Sequence, residues 1–183
     1  ELTPDEKAGK FRITKIYSGE NWNPTRRSPL TEQGVGVKEG DYLLSINGKN
    51  LSLKENPYLL LENTLGKAVE LTVSGSASGE NPKTALIKPI ASEQELRYFN
   101  WVNERRALVD KLSGGRIGYI HVPNTSTDGN RELFRGMYTY HDKEALIIDD
   151  RYNGGGFIPD VMADLLDRKT LVYWHRNGLM PNA

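Results

Sequence analysis

Apolar and polar residues alternate along Phe11-Arg12-Ile13-Thr14-Lys15-Ile16-Tyr17, the pattern of a strand with one buried face. Ser18-Gly19 ends it, and residues 20–40 form an irregular stretch carrying Asn23-Pro24 and Ser28-Pro29, too long for a plain hairpin. A second strand is expected over Gly40 to Ile46. It closes at Asn47-Gly48, the strongest hairpin-turn signal in the chain. Pro57 to Leu65 reads as a short helix stopped by Gly66. Two further strands, Ala68 to Ser74 and Lys83 to Ile90, flank a loop rich in Gly, Ser, Asn and Pro. Residues 1–90 therefore read as a small, mostly antiparallel, β-rich domain.

Ser92-Glu93-Gln94-Glu95 is a capping-box pattern. The helix it opens places Leu96, Phe99, Val102, Val109 and Leu112 near one face, broadened by Trp101 and Leu108, and ends at Ser113-Gly114-Gly115. Arg97, Glu104, Arg105 and Arg106 form its charged surface. Residues 91–115 are expected to connect two domains, packed at least partly on the second.

Beyond it strand and helix alternate. A strand over Arg116 to Val122 is closed by Pro123, and a helix over Asn130 to Tyr140 carries apolar Leu133, Phe134, Met137 and Tyr138. The run Ala145 to Ile148 has no polar alternation, which suits a parallel strand covered on both faces. Asn153-Gly154-Gly155-Gly156 follows, then a helix to about Arg168 with Pro159 in its first turn and Val161, Met162, Leu165 and Leu166 on one face. Thr170-Leu171-Val172-Tyr173-Trp174 closes a βαβαβ succession, the signature of a layered α/β sheet, over residues 116–183. The fold class expected for the whole chain is α+β.

Candidate chemistry concentrates where the Ala145–Ile148 strand meets its glycines. Strand, glycine run and helix N-terminus together collect unpaired N–H donors and the positive end of a helix dipole. Such a junction can cradle a phosphate, but nucleotide binding does not fit, because the glycines lack dinucleotide spacing and no Gly-Lys-Ser/Thr follows. Two readings stay open locally. One is an oxyanion hole, in which each N–H aimed at a tetrahedral intermediate contributes about 2.7–4 kcal/mol; the other is a tight turn that needs glycine for its shape. Ligands of α/β sheets bind beyond the carboxyl ends of the strands, where this loop lies, which favours the first.

Composition removes several function classes. Lys plus Arg and Asp plus Glu both number 24 in the 183 residues, so no net charge draws the chain to nucleic acid or an anionic membrane. Cysteine is absent, which excludes a disulfide scaffold, a cysteine nucleophile and thiolate zinc sites. Three isolated histidines make no metal site: His121 sits mid-strand, while His141 and His175 lie near element ends. Neither Ser113 nor Ser126 is expected at a helix start following a strand, where an exposed nucleophile would stand. No apolar run reaches the roughly 18 residues of a membrane span, and residues 1–4 lack the features of a signal peptide. The first residue is Glu1, consistent with a fragment or a processed product.

The first half resembles a PDZ domain. Phe11 to Tyr17, then Ser28-Pro29-Leu30, then Val37-Lys38-Glu39-Gly40-Asp41-Tyr42-Leu43-Leu44-Ser45-Ile46-Asn47-Gly48 follow that family's order of strand, small-residue turn and Gly-Asp strand over about residues 9 to 90. The resemblance implies binding of extended peptides by strand addition beside a groove. It departs from the family in lacking, within residues 1–10, the glycine-rich carboxylate-binding loop.

With Gly118-Tyr119-Ile120-His121-Val122-Pro123 and Asp149-Asp150-Arg151-Tyr152-Asn153-Gly154-Gly155-Gly156, the chain resembles the tricorn-type branch of the C-terminal processing peptidases, the S41 serine peptidases with a ClpP/crotonase-like α/β domain. The resemblance implies a serine nucleophile, a histidine base and a glycine loop that donates to the oxyanion. The oxyanion element maps to Gly154, Gly155 and Gly156, with Gly155 the first candidate. The family's histidine precedes the PDZ domain and its serine opens a helix well after the loop, so both are expected outside these 183 residues, which alone would be inactive. The resemblance further implies a cytoplasmic homo-oligomer cutting short peptides or unfolded segments, with no cofactor and no metal. The competing reading is a non-enzymatic PDZ-type peptide-binding or scaffolding module. A serine at a strand-to-helix turn downstream of Ala183 would separate the two.

Overall fold

The computed structural model describes residues 1–169. Contacts divide the chain into two compact units, Glu1–Trp101 and a second from Val102 onward. In the first, β1 (Leu2–Asp5), β2 (Lys10–Ile13), β3 (Tyr42–Ile46), β5 (Val69–Ser74) and β6 (Lys83–Ile87) form an antiparallel sheet in the order β1-β2-β3-β5-β6, with β4 (Lys49–Asn50) paired to β3. Val69, Leu71 and Val73 alternate inward along β5, as a half-buried strand requires. The β3·β5 register shifts between Leu43 and Ser45. That irregularity lets Leu43 and Ile46, three positions apart, both enter the core. The Asn47-Gly48 turn forms as expected, with φ of 48° and 74°.

The sequence pattern is corrected at three points in this unit. β1, not anticipated, pairs in full with β2, from Leu2↔Ile13 to Asp5↔Lys10. β2 stops at Ile13 instead of Tyr17, because side chains take over the backbone groups: Ile16 N donates to Glu39 Oε1 at 2.8 Å and Ser28 Oγ donates to the Tyr17 carbonyl at 2.6 Å. The expected helix over 57–65 is a 3-10 turn, Pro57–Leu61, capped by Asn56 and ended by an extended Glu62.

The connecting helix α1 (Gln94–Ser113) starts and stops where its box and glycines place it. Its stripe does not behave as expected, since only Leu96 is buried while Leu108 and Leu112 are exposed. Polar contacts hold its first turns instead. Arg97 donates to Glu1 Oε1 and the Tyr17 hydroxyl, both at 2.8 Å, and to Glu93 Oε1 at 2.9 Å.

In the second unit, β7 (Ile117–His121) and β8 (Ala145–Asp149) pair in parallel, from Ile117↔Ala145 to His121↔Asp149. α2 (Thr127–Thr139) and α3 (Pro159–Asp167) follow the two strands and bury Leu133, Met162 and Leu165 against Ile120 and Val122. α2 begins three residues before the expected Asn130, because Asn124 Oδ1 accepts from the N–H groups of Ser126 (3.1 Å) and Gly129 (2.9 Å) and caps the turn early. β8 was expected to be covered on both faces. Among the described residues it pairs with β7 alone, so Ala145, Ile147 and Ile148 are exposed and only Asp149 is buried. The expected strand over residues 170–174 lies outside the described residues. The fold is α+β: an antiparallel PDZ-like sheet, a helix, and a parallel α/β unit.

Candidate active site

Two loops leave the carboxyl ends of β7 and β8 and are stitched together by their backbones. Gly154 N donates to Pro123 O (2.9 Å), Thr125 N to Gly155 O (3.0 Å) and Ile158 N to Thr125 O (3.0 Å). Gly156 lies so close to the facing loop that a Cβ there would sit 2.2 Å from Thr125 O. Glycine is therefore required at 156 by close approach, in addition to its φ of +155°.

The three glycine N–H groups have different fates. That of Gly154 is engaged by Pro123. That of Gly155, the first candidate from the sequence, donates to Asn153 Oδ1 at 2.7 Å. The N–H of Gly156 meets no acceptor among the described residues. Its direction is fixed as well. In a trans peptide the C=O and N–H point in opposite senses, and the Gly155 carbonyl is held by Thr125 N, so the Gly156 N–H points away from the Thr125 loop.

At the carboxyl ends of β7 and β8 lies a polar cluster in which Tyr119, His121 and Asp149 are buried and the Arg151 side chain is exposed. The Asp149 carboxylate accepts from the Tyr119 hydroxyl (2.6 Å), Arg151 N (3.0 Å) and Arg151 Nε (2.9 Å). His121 is buried, and its Nε2 lies 2.8 Å from the Arg151 carbonyl, which can only accept, so Nε2 carries the proton. The Arg151 guanidinium first, and the Tyr119 hydroxyl after it, hold the Asp149 carboxyl well below the usual carboxylate range despite burial. Burial and then Asp149 push the Tyr119 phenol above its ordinary value. The cluster fixes the point where the chain leaves β8. Sequence reading quoted Tyr119 and Asp149 within the motifs that carry the resemblance but gave neither a role, although polar atoms at 119, 121 and 149 in or beside apolar strands were the signal.

Ser126 differs from expectation. It is the N-cap of α2, a helix start following a strand, because α2 begins early. Among the described residues no histidine or carboxylate is hydrogen-bonded to its hydroxyl, so none of these residues stands as its activating base. His141 Nδ1 bonds the Tyr138 carbonyl at the surface, and His175 lies outside the described residues. Among the described residues no cluster of potential metal ligands occurs, and no helix is long and apolar enough to cross a membrane.

In the first unit, an apolar groove of about 510 Å³ runs past Leu2 of β1, Ile13, Tyr58, Leu61, Ile87 and Leu96. Among the described residues β1 is an edge strand, paired on one side only.

The chain is 37% identical over 175 residues to tricorn protease homolog 1 of Streptomyces coelicolor, covering 96% of this chain and 16% of that protein. It is 30% identical over 163 residues to the tricorn protease of Thermoplasma acidophilum, covering 89% of this chain and 15% of that one. A crystal structure of the tricorn protease superposes with a TM-score of 0.84 at 27% identity, over 99% of this chain and 17% of that chain. The chain thus spans about a sixth of the length of these relatives. The family model described as the tricorn protease PDZ domain matches residues 1–92. With 92 of its 183 residues so matched, the chain belongs to the family of the tricorn protease PDZ domain.

Proposed function

We propose that the complete protein carrying this chain is a serine peptidase of the S41 type, and that the Asn153–Gly156 loop is its oxyanion element. Residues 1–90 then supply the PDZ-like domain, 91–115 the connecting helix, and 116–183 the first part of the catalytic α/β domain. The single observation that carries the proposal is the Gly156 N–H, which meets no acceptor among the described residues and is aimed away from the Thr125 loop at the carboxyl end of a parallel strand. A carbonyl oxygen gaining charge at that point would be met by an N–H already in place, so little reorganisation is needed during reaction. Gly154 and Gly155 serve by shaping the loop, their own N–H groups being engaged. The nucleophilic serine and its histidine come from outside these residues. We further propose short peptides or unfolded segments as its substrates and a cytoplasmic homo-oligomer as its working form.

The test compares the complete protein with the 183-residue chain, using peptide hydrolysis and a serine-directed fluorophosphonate. Hydrolysis and covalent labelling are expected of the complete protein alone. Labelling of the 183-residue chain would overturn the placement of the nucleophile, and an active complete protein that resists the reagent would overturn the serine mechanism. A complete protein that binds peptides in the 510 Å³ groove but cleaves none would favour the scaffolding alternative.

A further inference from the structure

We propose that Asn153 is a positioning residue that aims the Gly156 N–H, an inference that rests on the oxyanion role assigned to this loop. The carboxamide of Asn153 uses both of its ends. Its Nδ2 donates to the Val122 carbonyl at 3.2 Å, just beyond the end of β7, and its Oδ1 accepts the Gly155 N–H at 2.7 Å. The Asn153 backbone is tied separately, its N–H donating to Asp150 O at 3.0 Å. The peptide on either side of Gly155 is therefore held by a different partner: the Gly154–Gly155 peptide through its N–H by Asn153, and the Gly155–Gly156 peptide through its C=O by Thr125.

Gly155 has φ of +79° and no heavy atom within 4 Å of where a Cβ would lie, so packing does not restrain it. A glycine with such freedom rotates easily about both dihedrals. Release of the Asn153 bond leaves the donor peptide anchored on one side only. The Gly156 N–H then samples directions in which it cannot meet a developing oxyanion, and a misplacement near 1 Å costs on the order of 10²-fold in rate. Side chains without both a donor and an acceptor at this reach cannot span Val122 O and Gly155 N together. Alanine does neither. An ionised carboxylate accepts from Gly155 but sets a negative oxygen against the Val122 carbonyl and near the incipient oxyanion. A protonated carboxyl restores the asparagine pattern, its C=O accepting and its O–H donating.

The experiment uses the complete protein, its Asn153→Ala and Asn153→Asp variants, and a fluorogenic peptide, with active sites counted by fluorophosphonate titration so that misfolded enzyme is not scored. Expected for Asn153→Ala is a kcat lowered about 10- to 100-fold with KM within about 2-fold, less than the 10²–10³ cost of deleting an oxyanion donor outright. For Asn153→Asp a similar loss is expected at pH 8, and the ratio of its kcat to that of the unsubstituted protein should rise as the pH is lowered toward 5 and the introduced carboxyl takes up a proton. A purely structural asparagine would lower the titrated site count in both variants and leave kcat per site and the pH ratio unchanged; that result overturns the proposal. An unsubstituted protein that neither hydrolyses peptide nor takes up the reagent sinks the oxyanion reading, and this inference with it. An active protein with unaffected variants sinks the role of Asn153 alone.

Discussion

The Tyr119 hydroxyl donates to Asp149 Oδ2 at 2.6 Å, linking two parallel strands through side chains near their carboxyl ends. Both residues are buried, so the pair is shielded from competing water. Removal of the hydroxyl in Tyr119→Phe leaves a buried carboxylate with one donor fewer, at a cost of about 1–3 kcal/mol. Urea unfolding of the variant and the parent chain should show that difference with an unchanged m-value. A difference below about 0.5 kcal/mol would mean that water replaces the phenol at Asp149.

Acid stability should depend on the same carboxylate. Asp149 has its pKa depressed in the folded state, so the stability it contributes is complete above the unfolded value of about 3.9 and is lost as pH falls below that value toward the folded pKa. Asp149→Asn lacks this titration. Its melting temperature, lower than the parent's at pH 7, should fall less steeply between pH 5 and pH 2, so that the two curves converge in acid. Curves that stay parallel would show that other carboxylates govern acid unfolding.

Local signals carried most of the fold. The Asn47-Gly48 turn, the Gly114-Gly115 helix stop and the strand read over Ala68 to Ser74 each depend on neighbours in sequence, and each formed, the strand as Val69–Ser74. Two of the failures have causes that lie outside the segment itself. β1 exists because Leu2–Asp5 finds β2 as a partner, which nothing within those residues announces. β2 ends early because Glu39 and Ser28, distant in sequence, take its backbone groups. At the site, the glycine run was legible as a donor-rich turn, but which N–H stays open depended on Pro123, Thr125 and the Asn153 carboxamide. Backbone geometry, not residue type, leaves the N–H of Gly156, and not that of Gly155, without an acceptor among the described residues.

Burial separates two leucines that sequence pattern treats alike. Leu133 on α2 is 1% exposed and packs with Ile120, Val122, Met162 and Leu165, whereas Leu112 at the end of α1 is 78% exposed. Leu133→Ala removes buried methyl groups and leaves a cavity between helix and sheet, costing about 2–5 kcal/mol. Leu112→Ala should stay within about 0.5 kcal/mol of the parent. Thermal unfolding of both variants under one set of conditions gives the comparison. A large effect at Leu112 would mean that α1 buries its stripe after all.

Gly155→Ala and Gly156→Ala should separate backbone conformation from close approach. At Gly155 a methyl group enters open space, and the penalty is the left-handed φ of +79°, about 1–2 kcal/mol for a residue with a Cβ. At Gly156 the methyl would lie 2.2 Å from Thr125 O, 2.3 Å from Thr125 C and 2.8 Å from Ser126 N. Those are backbone atoms of the facing loop, held at the start of α2, and they cannot swing aside as a side-chain tip does. Relief requires the loops to part, which breaks the Thr125–Gly155 and Ile158–Thr125 hydrogen bonds, at about 0.5–1.5 kcal/mol each on top of the strain. Gly156→Ala should therefore be the more destabilising by at least about 1 kcal/mol, and it alone should raise amide exchange at Thr125 and Ile158. In the complete protein it should also depress kcat more than Gly155→Ala does, because the parted loops no longer fix the direction of the residue 156 N–H. Equal exchange rates at Thr125 and Ile158 in the two variants would show that the loops are not clasped at Gly156.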